Sequence, residues 1–96
     1  MKTFEEIKTT IKAHKPELAI QFHVGSIALF GSYARGEQDE QSDLDVLVEF
    51  EKPVGFLFIH LADYLEDLLN VKVDLVTKDA IKPNRWKYIK GDLTYV

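Results

Sequence analysis

The sequence contains no cysteine among its 96 residues. This absence excludes disulfide bridges, thiol nucleophiles and thiolate zinc sites together, and it favours a cytoplasmic location. The sequence also has no apolar stretch near the roughly 20 residues that a membrane helix needs. Glu5 and Glu6 stand where a signal peptide would carry its apolar core, so we expect neither export nor membrane insertion.

Basic residues are few and scattered. Twelve Lys and Arg stand against 16 Asp and Glu, which gives a formal net charge of −4. A non-specific nucleic-acid binder needs a basic patch, so no direct nucleic-acid substrate is expected. Hydrophobic residues make up 46% and charged residues 29%, an ordinary globular composition, and the length predicts a single domain over residues 1–96.

Two common nucleotide-binding strings are missing as well. No Lys follows the second glycine of a Gly-rich turn, as a Walker phosphate loop requires, and no Gly-x-Gly-x-x-Gly occurs. The sequence therefore excludes the P-loop and the dinucleotide-binding fold.

The pattern of apolar residues predicts alternating helices and strands. A capping box of Thr3 and Glu6 begins a helix over residues 3–14, whereas residues 16–24 fit a helix as well as a strand. The remaining predicted elements are strands over 26–30, 44–50 and 71–76, helices over 32–35 and 55–69, and a last helix that Pro83 opens and Gly91 ends. This order predicts a small α/β fold, with a mixed central sheet and helices packed on one face.

Three aspartates stand out within the predicted strands. Asp43 and Asp45 lie two residues apart at the start of a strand, so both carboxylates point to the same side of the sheet. Asp74 is the acid inside the next strand, and its carboxylate can converge with the others if the two strands are neighbours. Converging carboxylates suit Mg²⁺, and two such ions can clamp the attacking and leaving oxygens of a phosphoryl transfer.

A glycine-serine turn precedes these aspartates. Gly31 and Ser32 lie where a strand passes into a helix, so free backbone N–H groups and the serine hydroxyl can hold a phosphate. Arg35 follows within one turn, where it can contact phosphate or pair with nearby acids, and we leave both alternatives open. A triphosphate and its metal ions would then meet in one cleft.

The combined pattern resembles the DNA polymerase beta-like nucleotidyltransferase superfamily: Gly-Ser, ten residues from Tyr33 to Ser42, Asp-x-Asp, and a third acid on a later strand. The string Gly-Ser-Tyr-Ala-Arg-Gly with Ser-Asp-Leu-Asp-Val-Leu-Val is similar to its MNT branch, the minimal nucleotidyltransferases. The resemblance implies that Asp43 and Asp45 bind two Mg²⁺ ions, that Asp74 completes the site of the ion that activates the acceptor, and that Gly31 and Ser32 hold ATP.

The same resemblance implies a biological role. MNT proteins transfer AMP to a tyrosine of a HEPN-domain RNase toxin and act as the antitoxin of a type VII pair, so a hetero-oligomer with the toxin is expected. Two alternatives stay open: transfer to a small molecule such as an aminoglycoside, and a binding-only antitoxin with a vestigial site. The glycine in residues 90–96 stands where the branch would continue a helix, which leaves the partner-contact surface undefined.

Aromatic residues and histidines outside this pattern receive structural roles. The last helix is predicted to pack on the sheet through Trp86, Tyr88 and Ile89. An aromatic residue left exposed there would instead suit a partner interface. His14, His23 and His60 share no metal-ligand spacing, and we assign them no function.

Overall fold

A computed structural model describes residues 2–96. Its five α-helices are α1 (Phe4–Ala13), α2 (Lys15–Phe22), α3 (Ser32–Arg35), α4 (Leu57–Leu69) and α5 (Pro83–Ile89), and a short 3₁₀ helix spans Lys78–Ala80. Its four strands are β1 (Val24–Phe30), β2 (Leu44–Phe50), β3 (Val73–Val76) and β4 (Thr94–Tyr95). In this part of the chain no helix is long and apolar enough to cross a membrane.

The segment whose state the sequence left open is helical. Pro16 lies in the first turn of α2, where a missing N–H costs nothing, and Leu18 and Phe22 are buried one turn apart. Ile20 points outward and is 78% exposed, which explains why the apparent alternation of apolar residues misleads. The helix ends at His23, whose backbone is left-handed (φ 58°), and β1 starts at Val24, two residues earlier than predicted.

The sheet is mixed, as predicted. Its order is β3-β2-β1-β4, with β1 antiparallel to β2 and β4 and with β2 parallel to β3. The two-residue strand β4 is absent from the prediction, because two residues carry no periodic signal. Two predicted elements are shorter than expected: α4 begins at Leu57 and β3 at Val73.

Helices cover the two faces of the sheet unequally. Buried residues of α1, α2 and α4, such as Ile7, Leu18 and Leu65, form the main core with one face. The opposite face carries a smaller cluster in which Ile89 of α5 packs against Ala28 and Leu47. The predicted helical layer on one face is therefore present. Helix α5 is an addition on the other face, where β2 and β3 carry Asp45 and Asp74.

Candidate active site

The turn between β1 and α3 brings the backbone close to a carboxylate. Gly31 has φ 78° and ψ −155°, a combination that is open essentially to glycine alone. A Cβ at this position would collide with the carboxylate of Asp45. The glycine thus allows the turn to lie directly against Asp45, with Ser32 beginning the next helix.

Asp45 and Asp74 are brought together by the sheet register. They are direct partners across the parallel β2 and β3 strands, so their carboxylates share the face that α5 covers. Burial, followed by the repulsion from Asp74, raises the pKa of Asp45 from 3.8 to about 6. Arg85 offsets only a small part of this repulsion. Two neighbouring carboxylates that repel each other are the groups expected at a binding site for a hard cation.

Asp43 lines a different cleft from the one that Asp45 lines. It adds a smaller repulsion to the Asp45 carboxylate, and its own side chain lines a cleft of about 870 Å³ beside Tyr33 and Lys72. Across residues 2–96 no three His, Cys, Asp or Glu side chains converge tightly enough to form a ready-made metal site. The structure therefore unites Asp45 with Asp74 and holds Asp43 at the edge, and the roles of all three as metal ligands stay predictions.

Arg35 forms ion pairs with acids, one of the two alternatives that the sequence left open. Its Nε donates to Glu37 at 3.0 Å and its Nη1 donates to Asp92 at 2.6 Å. The hydrogen bond to Glu37, and then the one to Asp92, raises the pKa of the guanidinium. A contact between Arg35 and phosphate stays a prediction, and it would have to compete with these acids.

A second cleft, of about 270 Å³, lies between the glycine-serine turn, Asp45 and α5. Phe30 and Ile89 supply apolar lining, and Gly31 lies at the β1–α3 turn. Its polar lining consists of Ser32, Arg35, Asp45, Arg85, Tyr88 and Asp92. The cleft is small and polar, and it places the glycine-serine turn, one carboxylate of the Asp45–Asp74 pair and two guanidinium groups around one space.

Sequence reasoning missed the contribution of α5 to this cleft. Trp86 and Ile89 do pack against the sheet, as predicted, but Tyr88 is 72% exposed and lines the cleft with Arg85. The spacing of three between Arg85 and Tyr88 places both on one side of a helix, and this signal was present in the sequence. The sequence did not show that α5 covers the face of the sheet that carries Asp45 and Asp74.

Comparisons with known proteins identify the family. A family model described as a nucleotidyltransferase domain matches residues 6–96. The chain belongs to the nucleotidyltransferase family. It is 47% identical to the protein adenylyltransferase MntA of Thermococcus cleftensis, over all of this chain and 98% of that protein. It is 56% identical, over all of both chains, to MJ0128 of Methanocaldococcus jannaschii, which is provisionally named a protein adenylyltransferase.

Solved structures agree on the fold of this nucleotidyltransferase. A provisionally assigned minimal nucleotidyltransferase superimposes with a TM-score of 0.80 and 31% identity, over 97% of this chain and 95% of the other. A chain from the complex of a tri-AMPylated Shewanella oneidensis HEPN toxin with an MNT antitoxin has a TM-score of 0.57 at 20% identity, over 96% of this chain and 66% of that one. The resemblance to the minimal nucleotidyltransferases is thus confirmed, and the chain is a nucleotidyltransferase enzyme.

The raised pKa of Asp45 gives a testable pH dependence of stability. Because the folded state holds a proton up to about pH 6 and the unfolded state releases it near 3.8, stability falls as pH rises between these values. Asp45→Asn mimics the protonated carboxyl. Allowing for partial exposure, we expect its unfolding free energy to exceed that of the wild type by about 1–2 kcal/mol at pH 8 without metal, and the difference to vanish at about pH 3, below both pKa values.

Urea denaturation at both pH values in the presence of a chelator measures this difference. Asp63→Asn removes a charge from an exposed position of α4 and controls for net charge. An Asp45→Asn variant no more stable than the wild type at pH 8 would contradict the repulsion between Asp45 and Asp74.

Proposed function

We propose that the protein transfers AMP from ATP to a hydroxyl of a partner protein in a Mg²⁺-dependent reaction. One observation carries the proposal: Asp45, which pairs with Asp74 across the strands, lies against the glycine-serine turn and lines the same cleft as Ser32. The 47% identity to a protein adenylyltransferase supports AMP as the transferred group and a protein as the acceptor.

In this proposal, the residues of the cleft and the neighbouring aspartates have distinct roles. The Ser32 hydroxyl and the free N–H groups of the turn donate hydrogen bonds to phosphate oxygens, and Gly31 lets the nucleotide approach the backbone. Asp43 and Asp45 would hold the metal ions, and Asp74, on the edge strand β3 beside Asp45, would serve as the third carboxylate ligand. Mg²⁺ bound there would offset the charge of the phosphates and lower the pKa of the acceptor hydroxyl.

The acceptor in this proposal is a tyrosine of a cognate HEPN-domain RNase toxin, and the protein acts as its antitoxin. Support comes from the naming of the relatives and from the fold shared with the complex of a tri-AMPylated HEPN toxin and an MNT antitoxin. At 20% identity that complex shows the fold alone, so the partner and a hetero-oligomer with it are part of the proposal.

Labelled ATP tests the reaction. The protein is incubated with Mg²⁺, the product of the neighbouring reading frame and ATP that carries the label on either the α- or the γ-phosphate. AMP transfer predicts label on the partner from α-labelled ATP only, and tyrosine as the modified residue in mass spectrometry. Label from γ-labelled ATP would indicate phosphorylation, and modification of an added aminoglycoside instead of the protein would favour the small-molecule alternative.

A crystal soaked with a non-hydrolysable ATP analogue and Mg²⁺ tests the site. We expect triphosphate oxygens near Ser32 and metal density at Asp43 and Asp45, because carboxylates and phosphate oxygens are the ligands that Mg²⁺ prefers. Density for the nucleotide in another cleft, with this one empty, would refute the assignment.

A further inference from the structure

Two arginines border the nucleotide cleft, and they differ in what they contact. Arg35 donates to both Glu37 and Asp92, so its guanidinium is already engaged. Arg85 is exposed and forms no ion pair or side-chain hydrogen bond with any of residues 2–96. Arg85 exerts only a weak attraction on the Asp45 carboxylate, so it is the cation of this cleft that is available to bind a further anion.

The fold holds Arg85 toward the cleft. Pro83 lies in the first turn of α5, and the carbonyl of Lys82 accepts hydrogen bonds from the N–H groups of Arg85 and Trp86 at 2.9 and 3.0 Å. On the adjoining side of the helix, Trp86 and Ile89 pack against the sheet, and Ile89 also forms part of the cleft wall. The helix therefore has a fixed orientation, with Arg85 and Tyr88 toward the cleft.

The charges of the cleft require such a cation. Asp45 lines it, Asp74 lies beside Asp45, and Asp92 is neutralised by Arg35. A triphosphate that enters this space meets carboxylates, and an arginine can offset their repulsion through charged hydrogen bonds to phosphate oxygens. Tyr88, 72% exposed at the same cleft, offers a flat ring that does not belong to either apolar cluster, and the Nζ of Lys87 lies 5.2 Å from the ring centroid.

We propose that α5 forms the nucleotide-binding wall of the site, with Arg85 bound to the triphosphate and Tyr88 stacked on the base. The proposal rests on the function proposed above. It assigns to Arg85 the phosphate contact that the sequence suggested for Arg35, and it makes Tyr88 the residue that recognises the base.

Equilibrium binding without the partner tests the proposal. Calorimetric titration with ATP, AMP and inorganic tripolyphosphate, in the presence of Mg²⁺, separates phosphate from base contacts. We expect Arg85→Gln to weaken the binding of ATP and of tripolyphosphate about 10- to 100-fold, because a charged hydrogen bond is lost. The binding of AMP should weaken much less. Tyr88→Ala is expected to weaken the binding of ATP and AMP alike and to leave the affinity for tripolyphosphate unchanged. Tyr88→Phe is expected to keep the affinity for all three ligands.

Matched variants control for charge and for Arg35. Lys90→Gln removes an exposed cation just after α5 that does not line the cleft, and it should change the ATP affinity less than about twofold. Arg35→Gln is expected to weaken ATP less than Arg85→Gln. Equal ATP affinity of the wild type and Arg85→Gln, or a larger loss in Arg35→Gln, would overturn this inference alone. A wild type that binds no ATP would remove the proposed function together with it.

Discussion

The double variant Asp43→Asn, Asp45→Asn is expected to lose essentially all transfer of AMP to the partner while it keeps its fold. The two carboxylates are the proposed ligands of both metal ions, and Asn keeps their size while it removes their charge. Loss of the electrostatic stabilisation of a transferring phosphoryl group costs several kcal/mol, which corresponds to a rate decrease of about a thousandfold or more. Labelling of the partner from α-labelled ATP measures the decrease.

Folding of this variant is expected to survive, because neither carboxylate belongs to the apolar core and the repulsion at Asp45 is relieved. Asp63→Asn with Asp67→Asn, both exposed on α4, removes the same charge elsewhere and should retain full activity. Protection of cells from the toxin then separates enzyme from binding-only antitoxin. A folded Asp43→Asn, Asp45→Asn variant that still binds the toxin and still protects fully would show that catalysis is dispensable.

Gly31→Ala is expected to damage both stability and activity. A side chain at φ 78° and ψ −155° costs about 1–3 kcal/mol, which lowers the melting temperature of a chain this short by roughly 5–20 °C. The new Cβ would also push against the Asp45 carboxylate, so the turn and the aspartate must move apart. Because displacement of reacting groups by about 1 Å costs about a hundredfold, we expect transfer to fall by at least that factor.

Gly36→Ala provides the matched control for Gly31→Ala. Gly36 also has a positive φ, of 72°, but a Cβ there meets no atom within 4 Å. This variant should lose about 1–2 kcal/mol from backbone strain and keep its transfer rate. Equal effects of the two substitutions on transfer would contradict the close approach of Gly31 to Asp45.

Local chemistry explains which parts of the fold were predictable. Thr3 accepts a hydrogen bond from the backbone N–H of Glu6 at 3.1 Å, as the capping box predicted, and the apolar stripe of α4 lies on one helix face. The segment of α2 stayed ambiguous because its apolar residues match both periods over only eight residues. Strand β4 was missed because its pairing with Ala28 and Leu29 joins residues far apart in the chain.

The sequence by itself determined the motif, its spacing and hence the family, because each of these depends on residue identity and order. It also predicted that Asp74 could converge with Asp43 and Asp45 if the two strands were neighbours. The parallel register pairs Asp74 with Asp45, whereas Asp43 lines another cleft. The engagement of Arg35 by Asp92 and the placement of Arg85 beside the cleft were decided by tertiary structure alone. Arg35 and Asp92 are 57 residues apart, and only the packing of α5 on the second face of the sheet brings such distant side chains to one cleft.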